Sequence, residues 1–500
     1  MASQPAAACH PHAARTMAPQ GVVRRRPETT VLYQVVQQNL ETFLADARER
    51  SEHGFGLPRY VEREFERYLE CGILAHGFCR IRCEACGHEE LLAFSCKGRG
   101  FCPCCTGRRM ADTAAHLVDR VLPTAPYRQW TLSFPFRLRF RLARDPDLVS
   151  AVLGIFLAAV FAWQRRRARR QGFRGQPGAV TFVQRFGGLA ANLNVHFHSI
   201  VPDGLFERDA QGAWRLRPLE PPTDEEVAAI TRRIVRRVTR RLARKTSDEE
   251  SVPDALAAVQ AAALQAPLPF ASRPDPPPAR RDSGRRCALV DGFSLHANTH
   301  VGTHDRLGLE RLLRYAGRNP IALSRMSFTP DGQVAFRLKR PAPGGATTLT
   351  LAPLALMRRL AALVPPPRRH QLRYAGAFAP NCACRADIVP AAPAEPGEGV
   401  AAASAAPGAP DPAAPRVPAS VLARRLEWAA LLARVFEQDV LRCPRCGGRR
   451  RVIAFLTDPD VVHRILRHLG LPTTPPEVAP ARAPPQTDSA GWFDADFVDP

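Results

Sequence analysis

Apolar residues along this chain recur with two periods, and the alternation between them predicts the order of elements. Residues 29–52 carry Val31, Val35, Leu40, Phe43 and Leu44 at helical spacing. Arg59 to Leu69 is a second helical stretch, and Met110 to Val121 a third, stopped by Pro123. Gln129-Trp130-Thr131-Leu132-Ser133-Phe134 is aromatic and β-branched and predicts a strand. Residues 136–142 alternate Phe or Leu with Arg, which predicts another strand with a basic face. An apolar helix follows at 148–163, with Arg165 to Arg170 as its cationic end. Ala179 to Phe186 reads as a strand. Gly187-Gly188 turns it into the strand that holds Asn194 to Ile200, which Pro202-Asp203-Gly204 ends; the pair predicts an antiparallel hairpin. Thr223 to Lys245 is a helix that opens on a capping box, Thr223 with Glu226. Its apolar stripe is Val227, Ile230, Ile234, Val238 and Leu242, with Arg around it. Asp291 to Leu295 predicts a strand and Asp305 to Arg318 a helix stopped by Asn319-Pro320. Strand-like pieces follow at 333–339 and 347–351, and a helix at 419–440.

These elements imply an α+β fold in several parts. Residues 1–28 form a disordered N-terminus and 29–122 a helical, cysteine-bearing module. Residues 123–388 form the main domain, with an insertion at about 207–285. A linker at 389–418, almost all Ala, Pro, Gly and Ser, leads to a C-terminal helix and cysteine knuckle at 419–472 and a tail at 473–500.

Charge narrows the partners. The formal net charge is +23, from 70 basic against 47 acidic residues, and this favours a polyanion, nucleic acid first. Lysine occurs only at 97, 245 and 339, a choice of Arg over Lys that a compositional bias explains; the excess of cations it does not explain. The longest apolar run, Leu148 to Trp163, is short for a membrane span and contains Ser150 and Gly154, so a buried helix is expected. Residues 1–20 lack the apolar core of a signal peptide. A soluble cytoplasmic protein with no membrane partner is expected.

Most of the 14 cysteines fall in close pairs, which without a secretion signal read as metal sites. Cys83-x-x-Cys86 and Cys102-x-x-Cys105 match a four-cysteine structural zinc site, with Cys71, Cys79, Cys96 and Cys104 as extras. Such a site would present Arg99, Arg108 and Arg109 as a DNA-binding surface. Cys443-x-x-Cys446 is a further knuckle, a possible second zinc site. His463 and His468, or Cys382 and Cys384, are rival candidates to complete it.

His196 and His198 alternate on a strand and therefore share a face, which makes half of a metal site. Gln184 on the neighbouring strand is a candidate third ligand, His296 a competing one; otherwise the pair is a polar patch on a half-buried strand. Tyr315 lies on a helix with Arg311, Arg314 and Arg318. Those arginines would hold a phosphate while the tyrosine attacks it, or the helix is simply amphipathic with its Tyr at the edge. Tyr374, in Arg373-Tyr374-Ala375-Gly376, is a second candidate.

Several of these stretches resemble the zinc-bearing rolling-circle insertion-sequence transposases of the HUH endonuclease superfamily. FSCKGRGFCPCCTGRRMADTAAHL (94–117) is similar to their zinc-binding N-terminal domain. GAVTFVQRFGGLAANLNVHFHSIVPDG (178–204) resembles their metal-histidine block. GFSLHA (292–297) and LERLLRYAGRNPIAL (309–323) resemble the segment with the nucleophile. RYAGAFAPN (373–381) and VLRCPRCGG (440–448) follow in the same order.

The resemblance implies an HUH-like fold, an antiparallel sheet flanked by helices with the histidines on its central strand. It implies that His196 and His198 bind catalytic Mg²⁺ or Mn²⁺, with structural Zn²⁺ in the N-terminal module. Tyr315 would be the nucleophile, cutting single-stranded or hairpin element ends through a 5′-phosphotyrosine and rejoining them without ATP. The chain accordingly has no Gly-x-x-x-x-Gly-Lys phosphate loop. Two-tyrosine members space theirs four residues apart. Arg311 and Asn319 occupy those positions here, which implies the single-tyrosine variety. The alternative function is a zinc-bearing DNA-binding regulator or a transposase-derived copy without chemistry. A metallohydrolase built on the histidine pair would want a repeated strand–helix alternation, which this chain lacks.

Overall fold

The computed structural model describes residues 25–51, 54–187, 192–244, 256–257, 259–260, 284–338, 341, 345–390 and 441–483. The helices are α1 (Val31–Glu49), α2 (Arg59–Glu70), α3 (Pro103–Arg120), α4 (Phe136–Arg144), α5 (Pro146–Arg170), α6 (Asp224–Ala243), α7 (Arg306–Ala316), α8 (Pro353–Leu363), α9 (Arg385–Ile388) and α10 (Pro459–His468). The strands are β1 (Phe78–Cys83), β2 (Glu89–Ala93), β3 (Tyr127–Ser133), β4 (Gly178–Phe186), β5 (Leu193–Pro202), β6 (Gly204–Arg208), β7 (Trp214–Pro218), β8 (Cys287–Val290), β9 (Phe293–Val301), β10 (Met326–Phe328), β11 (Val334–Arg337), β12 (Thr348–Leu351), β13 (Leu372–Gly376) and β14 (Arg450–Leu456). The expected helix at 419–440, the linker beyond residue 390 and most of 245–283 lie outside the described residues.

The mixture of helices and antiparallel sheets is α+β, as the periodicity predicts. The chain forms two compact units: Gly72–Phe94 with Trp428–Pro475, and Pro27–Cys71 with Ser95–Glu427, as far as these are described. Sequence alone makes 29–122 one module and 419–472 another. The structure regroups them, because β1 pairs antiparallel with β2 on one edge and with β14 on the other. Leu74, Phe78, Val462 and Leu466 form the core of this smaller unit.

The larger unit is built on a six-stranded antiparallel sheet in the order β13-β4-β5-β3-β9-β8. The histidine strand β5 is one of its two central strands. The expected β4–β5 hairpin is present, in a register that sets Gln184 opposite His196 and Phe182 opposite His198. One face of the sheet, with Val180, Phe182 and Ile200, packs against Leu117 and Val118 of α3 and Leu309, Leu312 and Leu313 of α7. The other face carries Trp130, which packs at a tilt on Trp163 of α5, and Phe197, which stacks on Phe156 of the same helix. Helix α5 is long and apolar enough to cross a membrane, but half of that stretch is buried inside the protein. Its apolar content is used to cover the sheet.

Three local expectations change. The strand at 136–142 is instead α4: Leu138 and Leu142, four apart, are its buried pair, and Pro135 stands at its N-cap. The strand at 291–295 is the second arm of a β8–β9 hairpin. Asp291 and Gly292 take φ of 48° and 76° in its two-residue turn, the conformation that an Asp-Gly pair favours. The 207–285 stretch is not a free insertion in its described part. Helix α6, with its capping box formed, packs on α5 and on β8 and β9.

Candidate active site

Alternation along β5 places His196 and His198 on the face covered by α7, with ring centroids 4.8 Å apart. Both are buried, at 7% and 4% exposure. His196 Nδ1 lies 2.9 Å from the Asn194 carbonyl oxygen and so donates to it, which leaves Nε2 a lone pair. His198 Nδ1 lies 3.3 Å from Thr131 Oγ1. Its Nε2 is buried without a hydrogen-bond partner among the described residues. Burial, with Arg318 nearby, pushes the His196 imidazolium down to about 4. Burial, His196 and Arg318 together push His198 to about 3. Both rings are therefore neutral near pH 7, the state in which imidazole ligates.

Gln184 completes a trio. It faces His196 across the ladder, and its Nε2 donates to the Ala316 carbonyl at the end of α7. Its Oε1 is buried with no partner among the described residues. Buried acceptors are rarely left unsatisfied. Here Gln184 Oε1 and His198 Nε2 are both unpaired on the face that carries His196. Two neutral imidazoles and an amide oxygen are a donor set that fits a divalent cation such as Mg²⁺ or Mn²⁺. His296, on β9, pairs with Thr131 on β3, and its Nε2 is 2.9 Å from Ser294 Oγ and 3.4 Å from Cys287 Sγ. Two strand spacings, about 10 Å, separate it from β5.

Tyr315 stands beside this trio. Its ring meets that of His198 edge-on, at 6.1 Å and 88°. Three contacts set α7 there. Asp305 caps its N-terminus by accepting from Gly308 N–H at 2.7 Å. Arg306 donates to the Val118, Leu122 and Pro123 carbonyls, fastening α7 to the end of α3. At the other end a Cβ on Gly317 would come within 3.2 Å of the Phe182 ring, so a larger residue there would push the ring aside by a few tenths of an ångström.

The three arginines of this helix differ. Arg318 stacks on the Tyr315 ring at 4.5 Å from its centroid. Arg314 is paired with Glu310, and Arg311 is exposed one turn before Tyr315. Tyr315 is half exposed (49%), open to a substrate. Tyr374 packs against the apolar cluster of the sheet, beneath Arg385, and burial raises its phenol.

The cysteines regroup with the two units. Cys83 and Cys86 do not join Cys102 and Cys105. Cys71, Cys96, Cys102 and Cys105 form one cluster and Cys83, Cys86, Cys443 and Cys446 another, each with its sulfurs within 4.8 Å of one another. In the first the contacts are 3.8 Å (Cys71–Cys105), 3.6 Å (Cys102–Cys71) and 3.4 Å (Cys96–Cys105). In the second they are 3.5 Å (Cys83–Cys446) and 3.6 Å (Cys86–Cys443). Sulfurs at about 2.3 Å from a tetrahedral zinc lie about 3.8 Å apart, so both clusters fit the ion.

The two knuckles of the second cluster repeat one backbone design. Gly87 and Gly447 follow their last cysteines at φ of 70° and 72°, and their N–H groups donate to the Cys83 and Cys443 carbonyls at 3.0 and 2.9 Å. Cys71 and Cys96 are the cluster members that spacing fails to single out, since neither belongs to a knuckle. Other candidates drop away. His463 and His468 are on the exposed side of α10, and Cys382 lies 3.1 Å from Cys384, outside both clusters. Arg99 donates to the Arg369 carbonyl and Arg109 to those of Lys97 and Gly98, so both hold loops as well as charge; Arg108 is exposed.

Comparison with known proteins covers both the candidate site and the cysteine clusters. Residues 178–386 match the transposase family Y2_Tnp, and residues 36–134 match the transposase zinc-binding domain Zn_Tnp_IS91. The first match spans Gln184, both histidines and Tyr315. The second spans the whole first cysteine cluster and half of the second. No curated protein and no solved structure gave a match. The zinc-domain match and the two cysteine clusters together point to structural zinc. The chain belongs to the rolling-circle transposases of the IS91 type, with an N-terminal zinc-binding domain.

Proposed function

We propose that this transposase cuts and rejoins single-stranded DNA at the ends of its element through a covalent bond to Tyr315, on an HUH-type sheet. The observation that carries the reading is the convergence on one sheet face of Gln184, His196, His198 and Tyr315, two of them with unsatisfied buried acceptors. Tyr315 Oη attacks the scissile phosphorus in line. The bond to the 3′-oxygen breaks, that oxygen takes up a proton, and the 5′-phosphate stays on the tyrosine. One phosphodiester replaces another, so reversal by a 3′-hydroxyl needs no nucleotide cofactor. Arg318 lies against the ring, where its guanidinium can meet the phosphate being attacked. Arg311 extends the same cationic face. A divalent cation held by His196, His198 and Gln184 would supply Lewis-acid polarisation of the phosphate and stabilise the leaving oxygen. The two cysteine clusters would each hold one structural zinc.

A cleavage assay tests this. Single-stranded DNA carrying the element's own flanks is incubated with Mn²⁺ or Mg²⁺ and either wild-type or Tyr315→Phe protein. A denaturant-stable protein–DNA adduct that needs the metal and vanishes in the variant is expected. An adduct that survives in Tyr315→Phe refutes the nucleophile. Tight binding with no adduct from either protein favours a DNA-binding regulator.

A further inference from the structure

Helices α5 and α6 enclose a cleft of about 300 Å³ lined by Arg166, Arg167, Arg170, Arg233 and Arg236, with Glu226 as its one carboxylate. Trp163 of α5 packs on Trp130, and Phe156 of the same helix on Phe197. Phe197 alternates with His196 and His198 on β5, so the cleft belongs to the layer behind the sheet, away from Tyr315. Glu226 is committed: it pairs with Arg167 at 2.7 Å and accepts from the Thr223 N–H at 3.0 Å. Among the described residues no carboxylate is within ion-pair distance of Arg166, Arg170, Arg233 or Arg236. Arg166 lies near enough to Arg233 and Arg170 for their charges to oppose its own, with Glu226 offsetting part of that. The indole N–H of Trp163, a lining residue that is 5% exposed, has no acceptor among the described residues. Four guanidiniums without a close carboxylate, beside an orphan buried donor, suit an anion.

The placement along the helices says which anion. Arg166 and Arg170 are one turn apart on α5, and Arg233 and Arg236 one turn apart on α6. The charges therefore form a track and not a point, which suits the repeating phosphates of a backbone. We propose that this cleft binds the phosphodiester backbone of a second stretch of DNA, flanking the one at Tyr315, without reading its sequence. The inference rests on the proposed chemistry only for the identity of the polyanion.

The test compares Arg166→Ala/Arg170→Ala/Arg233→Ala/Arg236→Ala with the unmodified cleft, both in full-length Tyr315→Phe protein so that no cleavage intervenes. Circular dichroism checks that the exposed substitutions leave the fold intact. Affinity for a short oligonucleotide around the cleavage site and for one with a long single-stranded flank is measured across salt concentration. For single strands each lost phosphate contact lowers the slope of log K against log salt by about 0.7, so four lost contacts lower it by about 3. The long-flank DNA should show that loss, with at least about tenfold weaker binding at 0.15 M salt, and the short oligonucleotide should not. Equal slopes for both proteins on the long DNA would overturn the proposal and leave a solvated helix face. Inorganic phosphate at low millimolar concentration displacing the long DNA's extra affinity would overturn it in favour of a small-anion site. Because binding alone is measured, a failed adduct assay with an intact slope difference would sink the Tyr315 reading and not this one.

Discussion

A histidine pair on the surface and one buried beneath α7 respond differently to acid, and Mn²⁺ affinity exposes the difference. With an ordinary pKa near 6.5, each imidazole would be about 9% neutral at pH 5.5 and about 90% neutral at pH 7.5. A cation that needs both neutral would then lose about 100-fold in affinity between those two values. In this protein burial lowers His196 to about 4 and His198 to about 3. Both rings stay almost fully neutral at pH 5.5, and the loss shrinks to less than about twofold. Calorimetric titration of the zinc-loaded protein with Mn²⁺ at the two pH values measures this, with His196→Ala/His198→Ala as the blank. A 100-fold loss would refute the reasoning, because it would mean that the rings titrate as solvated groups. The sign for stability follows from the same shifts. The folded pKa values lie below the unfolded one, so the contribution is intact above about pH 6.5. It is lost as pH falls towards the folded values, by about 4 kcal/mol for the two rings between pH 7 and 5 in the metal-free protein.

Two further outcomes are expected. Elemental analysis should give two zinc ions per chain, falling to one in Cys443→Ser/Cys446→Ser and in Cys96→Ser/Cys102→Ser; retention of both ions in either variant would show that its cysteines are not ligands. Asp203→Ala should cost about 3–5 kcal/mol of stability, because Arg128, 2% exposed, would keep its buried charge after losing both contacts to Asp203, at 2.9 and 2.7 Å. A loss under about 1 kcal/mol in chemical denaturation would show that water reaches the guanidinium.

The parts of the site that depend on local periodicity were legible. A period of two puts His196 and His198 on one face, and the β4–β5 pairing brings Gln184 level with them. Tyr315 stands out in the sequence as one of six tyrosines, on a helix with Arg311, Arg314 and Arg318. What failed was whatever rests on distant pairing. The nearest-neighbour rule joins Cys83 and Cys86 to the next knuckle in sequence. Their partners stand 363 and 357 residues away, brought there by the β1–β14 ladder, and no local pattern encodes that pairing. The misread at 136–142 has a simpler cause. Strict alternation also contains an i, i+4 pair, and Leu138 with Leu142 behind Pro135 serves a helix equally well.

Gln184 explains why the proposed metal face and the proposed nucleophile helix belong to one device. A residue needed only as a ligand would as soon be a carboxylate, which binds Mg²⁺ and Mn²⁺ more strongly than an amide. The amide has a second use. Its Nε2 donates to the Ala316 carbonyl, the residue after Tyr315, and a carboxylate there would set oxygen against oxygen. That hydrogen bond fixes which way the amide faces, leaving Oε1 unpaired. It also ties the end of α7 to β4, beside the point where Gly317 lies against the Phe182 ring. Arg306 and Asp305 fasten the other end. The distance between Tyr315 and the histidines is therefore set at both ends of an eleven-residue helix, and one of those settings passes through a proposed metal ligand. An in-line attack tolerates little displacement of the nucleophile, and a helix pinned in this way supplies that constraint without a moving part.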